Sequence, residues 1–235
     1  SNLTGAIMPV EEAGRIARDN GLLFLLDAAQ SAGVLPIDVE GQSIDILAFT
    51  GHKGLLGPQG TGGIYVRPGV KIRPLKQGGT GSLSEYLEQP DVMPDIFESG
   101  TPNTPGLAGL QAGVRWIMER GLDSIRSHEK KLTDMLIQGL REIRGVKLYG
   151  PCDGNRQTAV VAFNVHEEDC GEVSQLLDYK YGIVNRSGLH CAPMAHRTIG
   201  TLELGSIRLS PGFFTSEADI LAAVKAVHDI SSQVH

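Results

Sequence analysis

A lysine in a glycine-rich turn is the first residue that could do chemistry. Residues 50–63, TGHKGLLGPQGTGG, place Lys53 beside His52 where six of fourteen residues are glycine, directly after the apolar run IDILAF. A lysine amine can form a Schiff base, and such a turn brings backbone N–H groups toward a ligand. The G-x-x-x-x-G-K-[ST] spacing is absent, so the stretch does not predict nucleotide triphosphate chemistry. Taken alone, it also fits a solvated loop lysine.

A carboxylate follows another apolar run. The stretch LLFLLDAAQSAG places Asp27 where an unpaired charge would be costly, although a structural, hydrogen-bonded carboxylate would explain it equally well. Ligands of α/β sheets bind beyond the carboxyl ends of strands, so we expect Asp27 and Lys53 to face one crevice. A carboxylate for a pyridine nitrogen and a lysine for a Schiff base are what pyridoxal phosphate requires.

A thiol in a segment with glycine and proline is the next candidate. Cys191 lies in RSGLHCAPMAHRTIG, where it could be exposed, and the neighbouring His190 and Arg186 could favour the thiolate, its nucleophilic form. An inert, buried cysteine is the alternative. Cys191, His190 and His196 could also suggest zinc. No second Cys/His pair at the usual spacing completes four ligands, so no metal site is predicted.

Composition limits the class of protein. The chain has 235 residues, 41% apolar and 20% charged, which is typical of one large or two small globular domains. Its net charge of -6 argues against a nucleic-acid partner, and no run of about 18 apolar residues predicts a membrane role. Three widely spaced cysteines, Cys152, Cys170 and Cys191, predict no disulfide framework and a cytoplasmic location.

Apolar periodicity predicts the elements that would position these residues. A short amphipathic helix is predicted in MPVEEAGRIARDNG, with one apolar face made of Val10, Ala13, Ile16 and Ala17. Strands are predicted at LLFLLDAA, IDILAF and GGIYVRP, the first of them parallel and fully buried. Residues 76–104 have no sustained period and are predicted to form a long functional loop.

The second half of the chain predicts further helices and strands. Helices are expected over residues 105–118 and 122–143, and a terminal helix from about Thr215 and Ser216. Helix followed by buried strands indicates an α/β fold with a mostly parallel sheet, and the remainder indicates a smaller α+β unit. The predicted domains are residues 1–124 and 125–235.

Five ordered motifs together resemble a known family. DAAQSAG, TGHKGLLGPQGTGG, FESGTPNTPGLAGL, RSGLHCAP and IRLSPGFFTSEADI are similar to the cysteine desulfurases among the class V, fold-type I pyridoxal-phosphate enzymes. The resemblance covers nearly the whole chain. It implies a fold-type I large domain followed by a small C-terminal domain. It also implies that the chain corresponds to the C-terminal part of a longer enzyme, whose activity without the preceding part is open.

The resemblance assigns residues to the cofactor pyridoxal 5'-phosphate. Lys53 would be the Schiff-base lysine, and Asp27 would keep the pyridine nitrogen protonated. Gln30 would reach the phenolic oxygen. Thr50 and His52 match positions that contact the phosphate, and His52 is counted with Lys53 among the catalytic residues.

The resemblance also assigns residues to the substrate and to the sulfur. Cys191 would be the catalytic sulfur acceptor, and Arg208 would grip the substrate carboxylate with help from Arg186. Asn2 matches an asparagine near both the cofactor oxygen and the substrate. Thr101 matches a further cofactor-binding position, one that contacts the phosphate and is donated across a dimer interface. Without the resemblance, either arginine could equally form a surface or interdomain ion pair.

The implied reaction converts L-cysteine to L-alanine and leaves a persulfide on Cys191. Lys53 would shuttle the proton, and a homodimer and a sulfur-acceptor protein are the implied partners. Selenocysteine lyase activity would use nearly the same residues. A class V aminotransferase or another β-lyase would need Lys53 but not Cys191, and a truncated scaffold without cofactor would need neither.

Overall fold

The computed structural model describes residues 1–83 and 85–233, and the chain forms two compact units. One unit is Val10–Arg120; the other combines Ser1–Pro9 with Gly121–His235. The two units are defined by contacts between their residues and do not test the domain boundary. The division into domains of residues 1–124 and 125–235 stays a prediction. Ser84, inside the predicted loop, and residues 234 and 235, at the end of the second predicted domain, lie outside the described part.

The unit Val10–Arg120 contains a three-stranded sheet. Its elements are α1 (Val10–Asp19), β1 (Leu25–Asp27), β2 (Ile46–Thr50), β3 (Gly62–Val66), a 3-10 turn (Asp95–Phe97) and α2 (Thr104–Arg120). The strand order is β1-β2-β3, with β1 parallel to β2 and β3 antiparallel to it. All three predicted strands are present, and apart from the 3-10 turn the described residues between 76 and 103 form an irregular segment as expected.

Strand β1 corrects one prediction. The parallel pairing is confirmed, but the strand is not fully buried, because β1 is an edge strand and Leu25 is 55% exposed. The predicted apolar face of α1 is also wrong in part: the helix buries Gly14 and Ala17, whereas Ala13 and Ile16 are exposed. Periodicity identifies the apolar positions but not whether another layer covers them.

The unit formed by Ser1–Pro9 and Gly121–His235 contains a four-stranded antiparallel sheet. Its helices are α3 (Leu122–Arg141), α4 (Cys170–Tyr181), α5 (Pro193–Ile199) and α6 (Glu217–Ser231). Its strands are β4 (Val146–Tyr149), β5 (Val161–Val165), β6 (Arg186–Gly188) and β7 (Ser206–Leu209), in the order β4-β5-β7-β6. The predicted start of the terminal helix is confirmed, because Ser216 and Asp219 form a capping box at the beginning of α6.

The two faces of this sheet differ in character. Alternate residues of a strand point to opposite faces, and one face carries Phe163 and Ile207 in a core packed against α3, α4 and α6. Burying a side chain such as Phe163 contributes roughly 1.5–3 kcal/mol. The opposite face carries Arg208, whose cross-strand partners are Ala162 and Arg186. Leu3 of the N-terminal segment and residues of α5 cover part of that second face.

Candidate active site

Asp27 and Lys53 follow neighbouring parallel strands. Asp27 is the last residue of β1 and pairs with Ala48 of β2, and Thr50 ends β2 three residues before Lys53. Parallel strands end at the same edge of a sheet, so both segments leave the sheet on one side. The crevice predicted for Asp27 and Lys53 therefore has the expected strand arrangement.

Two glycines pack the segments after these strands against each other. A Cβ on Gly33 would lie 2.4 Å from the carbonyl oxygen of Gly54, and a Cβ on Gly54 would lie 2.6 Å from the carbonyl oxygen of Ala32. Gly33 also has a φ of +78°, which favours glycine. Backbone contact between the two segments therefore requires glycine at both positions, and it keeps the Lys53 loop beside the loop that follows Asp27.

The lysine loop is itself closed by backbone hydrogen bonds. The N–H of Leu56 donates to the carbonyl of Lys53 at 2.9 Å, and the N–H of Gly57 donates to the carbonyl of Gly51 at 2.8 Å. The Lys53 side chain is exposed, and among the described residues no ion pair involves it. The loop therefore presents a free amine on an ordered backbone.

Polar groups at this edge fit pyridoxal phosphate by their chemistry. Asp27 is exposed, and its Oδ1 accepts a hydrogen bond from the N–H of Ala29 at 2.9 Å, which orients the carboxylate. Thr50 Oγ1 lies 2.7 Å from His52 Nδ1, so a hydroxyl and an imidazole stand together beside the lysine. Gln30 is exposed in the segment that follows Asp27. A carboxylate, an amine, and hydroxyl, imidazole and amide groups are the donor set that this cofactor needs.

Thr101 is a further cofactor-binding residue that the resemblance implies. It is exposed in the irregular segment just before α2. The structure contains a single chain, so the predicted donation of Thr101 across a dimer interface stays a prediction.

In the other unit, Cys191 lies in a left-handed turn. The N–H of Ala192 donates to the carbonyl of Leu189 at 2.8 Å, and the two residues between them have φ values of +50° (His190) and +58° (Cys191). Two successive positive φ values are typical of a mirror-image β-turn, which usually contains glycine or asparagine. For a residue other than glycine, each such conformation costs on the order of 1 kcal/mol. Other contacts must hold this turn.

Cys191 is exposed and next to a cation. Its Sγ accepts a hydrogen bond from Nη2 of Arg186 at 3.6 Å, so the expected arginine lies beside the sulfur. All three cysteines of the chain are free, Cys170 being buried and Cys152 half-buried. Burial raises the pKa of the Cys170 and Cys152 thiols, which makes them poorer nucleophiles.

His190 differs from the sequence expectation. Its side chain is only 3% exposed, and its Nε2 lies 3.0 Å from the carbonyl oxygen of Ser206, so Nε2 carries the proton. Burial lowers the pKa of His190 from 6.5 to about 4, and the positive charges of Arg208 and Arg186 add to the effect. His190 is therefore neutral near pH 7. It cannot favour the thiolate by charge, and that part of the prediction is wrong.

Three elements hold His190. Besides the bond to Ser206 at the start of β7, its carbonyl accepts a hydrogen bond from Asn2 Nδ2 at 2.6 Å, and its ring stacks on His196 of α5 with centroids 5.7 Å apart. His196 is fully buried, and its Nδ1 lies 2.7 Å from Thr201 Oγ1. Within residues 1–83 and 85–233, no group of three His, Cys, Asp or Glu side chains could hold a metal ion.

Arg208 and Arg186 form a pair of guanidinium groups on one face of the sheet. They are cross-strand partners in β7 and β6, and neither takes part in an ion pair with a described carboxylate. Burial and then the charge of Arg186 lower the pKa of Arg208. Arg208 Nη1 also donates to the carbonyl of Asn2 at 2.6 Å. Two unneutralised guanidinium groups side by side favour an anion.

The hydrogen bond between His190 and the Ser206 carbonyl could not be predicted from the sequence. Any residue supplies a carbonyl, so no residue type could have marked the position. The link from Asn2 to His190 was missed for another reason, because 188 positions separate the two residues.

The chain matches known proteins over most of its length. The sequence pattern of the class-V aminotransferases matches residues 1–222. The chain belongs to this family. A probable cysteine desulfurase of Methanothermobacter thermautotrophicus is 36% identical over 98% of the chain, and one of Pyrococcus abyssi is 40% identical over 82%. The chain covers 58% and 48% of these two proteins, so it spans about half the length of the curated relatives it matches.

Solved structures of this family support the fold. The apo structure of a cysteine desulfurase from Thermococcus onnurineus matches all of the chain with a TM-score of 0.87 and 34% identity, and the chain covers 58% of it. An Escherichia coli cysteine desulfurase in an S-sulfonic acid form matches all of the chain with a TM-score of 0.85, 28% identity and 57% coverage of that protein. The α/β fold and the family resemblance are thus confirmed. None of the described helices is long and apolar enough to cross a membrane.

Proposed function

We propose that this chain carries the lysine, the substrate-binding arginines and the sulfur acceptor of a pyridoxal-phosphate-dependent cysteine desulfurase. The substrate is L-cysteine, and the products are L-alanine and a persulfide on Cys191. The observation that carries the proposal is the exposed Cys191 thiol, which a left-handed turn holds in contact with Arg186. An aminotransferase has no use for such a thiol.

Residues of the Val10–Arg120 unit hold the cofactor in this proposal. Lys53 makes the covalent attachment, Asp27 faces the pyridine nitrogen, and Gln30 donates to the phenolic oxygen. Thr50 and His52, already in contact with each other, bind the phosphate. When bound, pyridoxal phosphate supplies a carbonyl that condenses with amines and a ring that withdraws electrons from the substrate's α-carbon.

Arg208 and Arg186 bind the substrate carboxylate. Their pairing across β7 and β6 offers a planar fork to an anion, and partial burial strengthens the interaction because water competes less. Asn2 is fixed by its bonds to Arg208 and His190, so its position depends on the same cluster. These contacts would orient L-cysteine with its side chain free to react.

Lys53 and Cys191 then perform the chemistry. The Nζ amine of Lys53 takes the α-proton of the substrate and returns a proton to the carbon that loses sulfur. The Cys191 thiolate attacks the substrate sulfur, so an S–S bond forms, the substrate C–S bond breaks, and the carbon keeps the electron pair. One sulfur atom moves to Cys191, and alanine is the remaining product.

Further features of the function rest on the family rather than on the described contacts. We propose a homodimer in which Thr101 serves the partner subunit, a protein that accepts the sulfur from Cys191, and a cytoplasmic location. The free state of all three cysteines supports the location, because disulfides are rare in that compartment. Selenocysteine would suit the same residues and is the second candidate substrate.

A borohydride trapping experiment tests the cofactor half of the proposal. Pyridoxal phosphate is added to the purified chain, the mixture is reduced, and modified lysines are located by mass spectrometry. We expect a single adduct on Lys53, its absence in Lys53→Arg, and its retention in Lys71→Arg, which replaces an exposed lysine of the same unit. A predominant adduct on another lysine would contradict the assignment.

A further inference from the structure

The turn that presents Cys191 cannot be explained by its own residues. His190 and Cys191 both have positive φ values, and neither is a glycine that would adopt them without strain. The single backbone bond from Ala192 to Leu189 closes the turn but does not select its left-handed form. A contact from outside the turn must therefore favour this conformation.

The buried side chain of His190 makes that contact. Adjacent residues of the turn point in opposite directions: the imidazole is almost fully buried, whereas the Cys191 thiol is exposed. The imidazole is bonded through Nε2 to the Ser206 carbonyl and stacked on His196. Since Ser206 begins β7 and Arg208 lies two residues further, the bond ties the cysteine turn to the strand that carries Arg208.

Burial keeps His190 a neutral donor by lowering its pKa to about 4. The positive charges of Arg208 and Arg186 act in the same direction, and so would a charge on the stacked His196. A neutral imidazole with its proton on Nε2 can still donate to the Ser206 carbonyl. The anchor is therefore intact at the pH where a thiolate would react.

We propose that His190 is a positioning residue for Cys191, whose bond to the Ser206 carbonyl holds the turn so that the thiol lies beside Arg186. This inference rests on the proposed role of Cys191 as sulfur acceptor. His190 itself touches neither substrate nor cofactor in the proposal. Its effect on sulfur transfer passes through the geometry of the turn.

Three variants separate this role from general stability. His190→Leu removes the donor at similar size, and His190→Gln places an amide N–H where Nε2 lies. His166→Leu is the matched control, because His166 also has a φ of +50° and bonds through Nε2, at 3.0 Å, to Ser231 Oγ. Each variant is loaded with pyridoxal phosphate, and persulfide formation is measured over a range of L-cysteine concentrations.

The readouts are kcat, KM and the alkylation rate of Cys191 by iodoacetamide. For His190→Leu we expect kcat to fall by at least about tenfold, since a small displacement of a reacting group is costly, while KM changes by less than about threefold. Alkylation at neutral pH, followed by mass spectrometry without cofactor, should slow because the thiol leaves Arg186. His190→Gln should recover most of both rates, and His166→Leu should match the unmodified chain.

Unchanged kcat and unchanged alkylation in His190→Leu would overturn the proposal, and so would an equal loss in His166→Leu. The alkylation readout also keeps this inference separate from the proposed function. If the unmodified chain forms no persulfide on Cys191 but alkylation slows in His190→Leu and recovers in His190→Gln, the desulfurase role fails while the positioning contact stands.

Discussion

Nη2 of Arg186 lies 3.6 Å from Sγ of Cys191, and the two residues belong to different elements. Arg186 begins β6, whereas Cys191 lies in the turn that precedes α5. The contact gives the thiol a positive neighbour, and the same guanidinium is the cross-strand partner of Arg208. Arg186 thus links the reacting thiol to the residue that we propose for the substrate carboxylate.

The contact with Arg186 should raise the reactivity of Cys191. Arg186→Gln removes the charge beside the thiol, and we expect Cys191 alkylation at neutral pH to slow by about two- to fivefold, the size of an exposed charge interaction. Arg197→Gln, which removes an exposed charge from α5, is the control and should leave the rate unchanged. If both substitutions slow alkylation equally, the rate depends on the net charge of the chain and not on the contact between Arg186 and Cys191.

Arg208 should act on substrate affinity. Replacing Arg208 by Lys keeps the charge but loses the planar fork, and we expect KM for L-cysteine to rise by about tenfold or more. Cysteamine lacks the carboxylate, so its inhibition of the enzyme should be affected far less. If both ligands weaken equally, Arg208 acts by supporting Asn2 and not by binding the carboxylate.

The packing of Gly33 on Gly54 should control cofactor binding. In Gly33→Ala the new Cβ meets the Gly54 backbone, so the Asp27 and Lys53 segments must separate and affinity for pyridoxal phosphate should fall by at least about tenfold. Gly21→Ala is the matched control, because Gly21 also has a positive φ, +65°, but faces open space. It should reduce stability by roughly 1 kcal/mol without changing affinity. Equal affinities in the two variants would contradict this account of the glycines.

Acid should destabilise the unit that contains His190. Its pKa is about 4 in the fold and 6.5 as an ordinary value, so below pH 6.5 the unfolded chain binds a proton that the folded chain does not. The neutral His190 therefore contributes to the free energy of unfolding. This contribution is complete above pH 6.5 and is lost as the pH falls to about 4, by up to roughly 3 kcal/mol. Arg208, Arg186 and His196 face this ring, and burial lowers the pKa of His196 in the same direction.

Urea unfolding at several pH values measures this loss. His190→Gln cannot titrate, so its unfolding free energy should fall less between pH 6.5 and 4 than that of the unmodified chain. Identical pH slopes would show that the native imidazole is not held neutral.

The sequence predicted the helices and strands more accurately than the burial of their side chains. Helix α3, predicted over residues 122–143, buries Ile125, Leu132, Leu136 and Leu140, because a helix with a strong 3.6-residue period packs one face on a sheet. The exposure of β1 could not be predicted, since an apolar run does not say whether a second layer is present. Asp27 and Lys53 were placed correctly at strand ends because apolar runs mark where strands stop.

The protonation state of His190 was harder to predict than its position. Because His190 precedes Cys191 in the sequence, it suggested a cation near the thiol. Its partners Ser206, Asn2 and His196 meet it only after folding, and together they bury the ring and keep it neutral. Protonation state depends on such tertiary contacts, which motif spacing does not contain.

The most direct test of the proposed function is to find where sulfur goes. The chain is loaded with pyridoxal phosphate and given L-cysteine, and its peptides are mapped by mass spectrometry for one added sulfur atom, with Cys152 and Cys170 as internal controls. The proposed chemistry predicts a persulfide on Cys191 together with released alanine, and Cys191→Ala should keep the Lys53 adduct while losing the persulfide. Sulfur carried on Cys152 or Cys170, or undiminished sulfur transfer by Cys191→Ala, would contradict it.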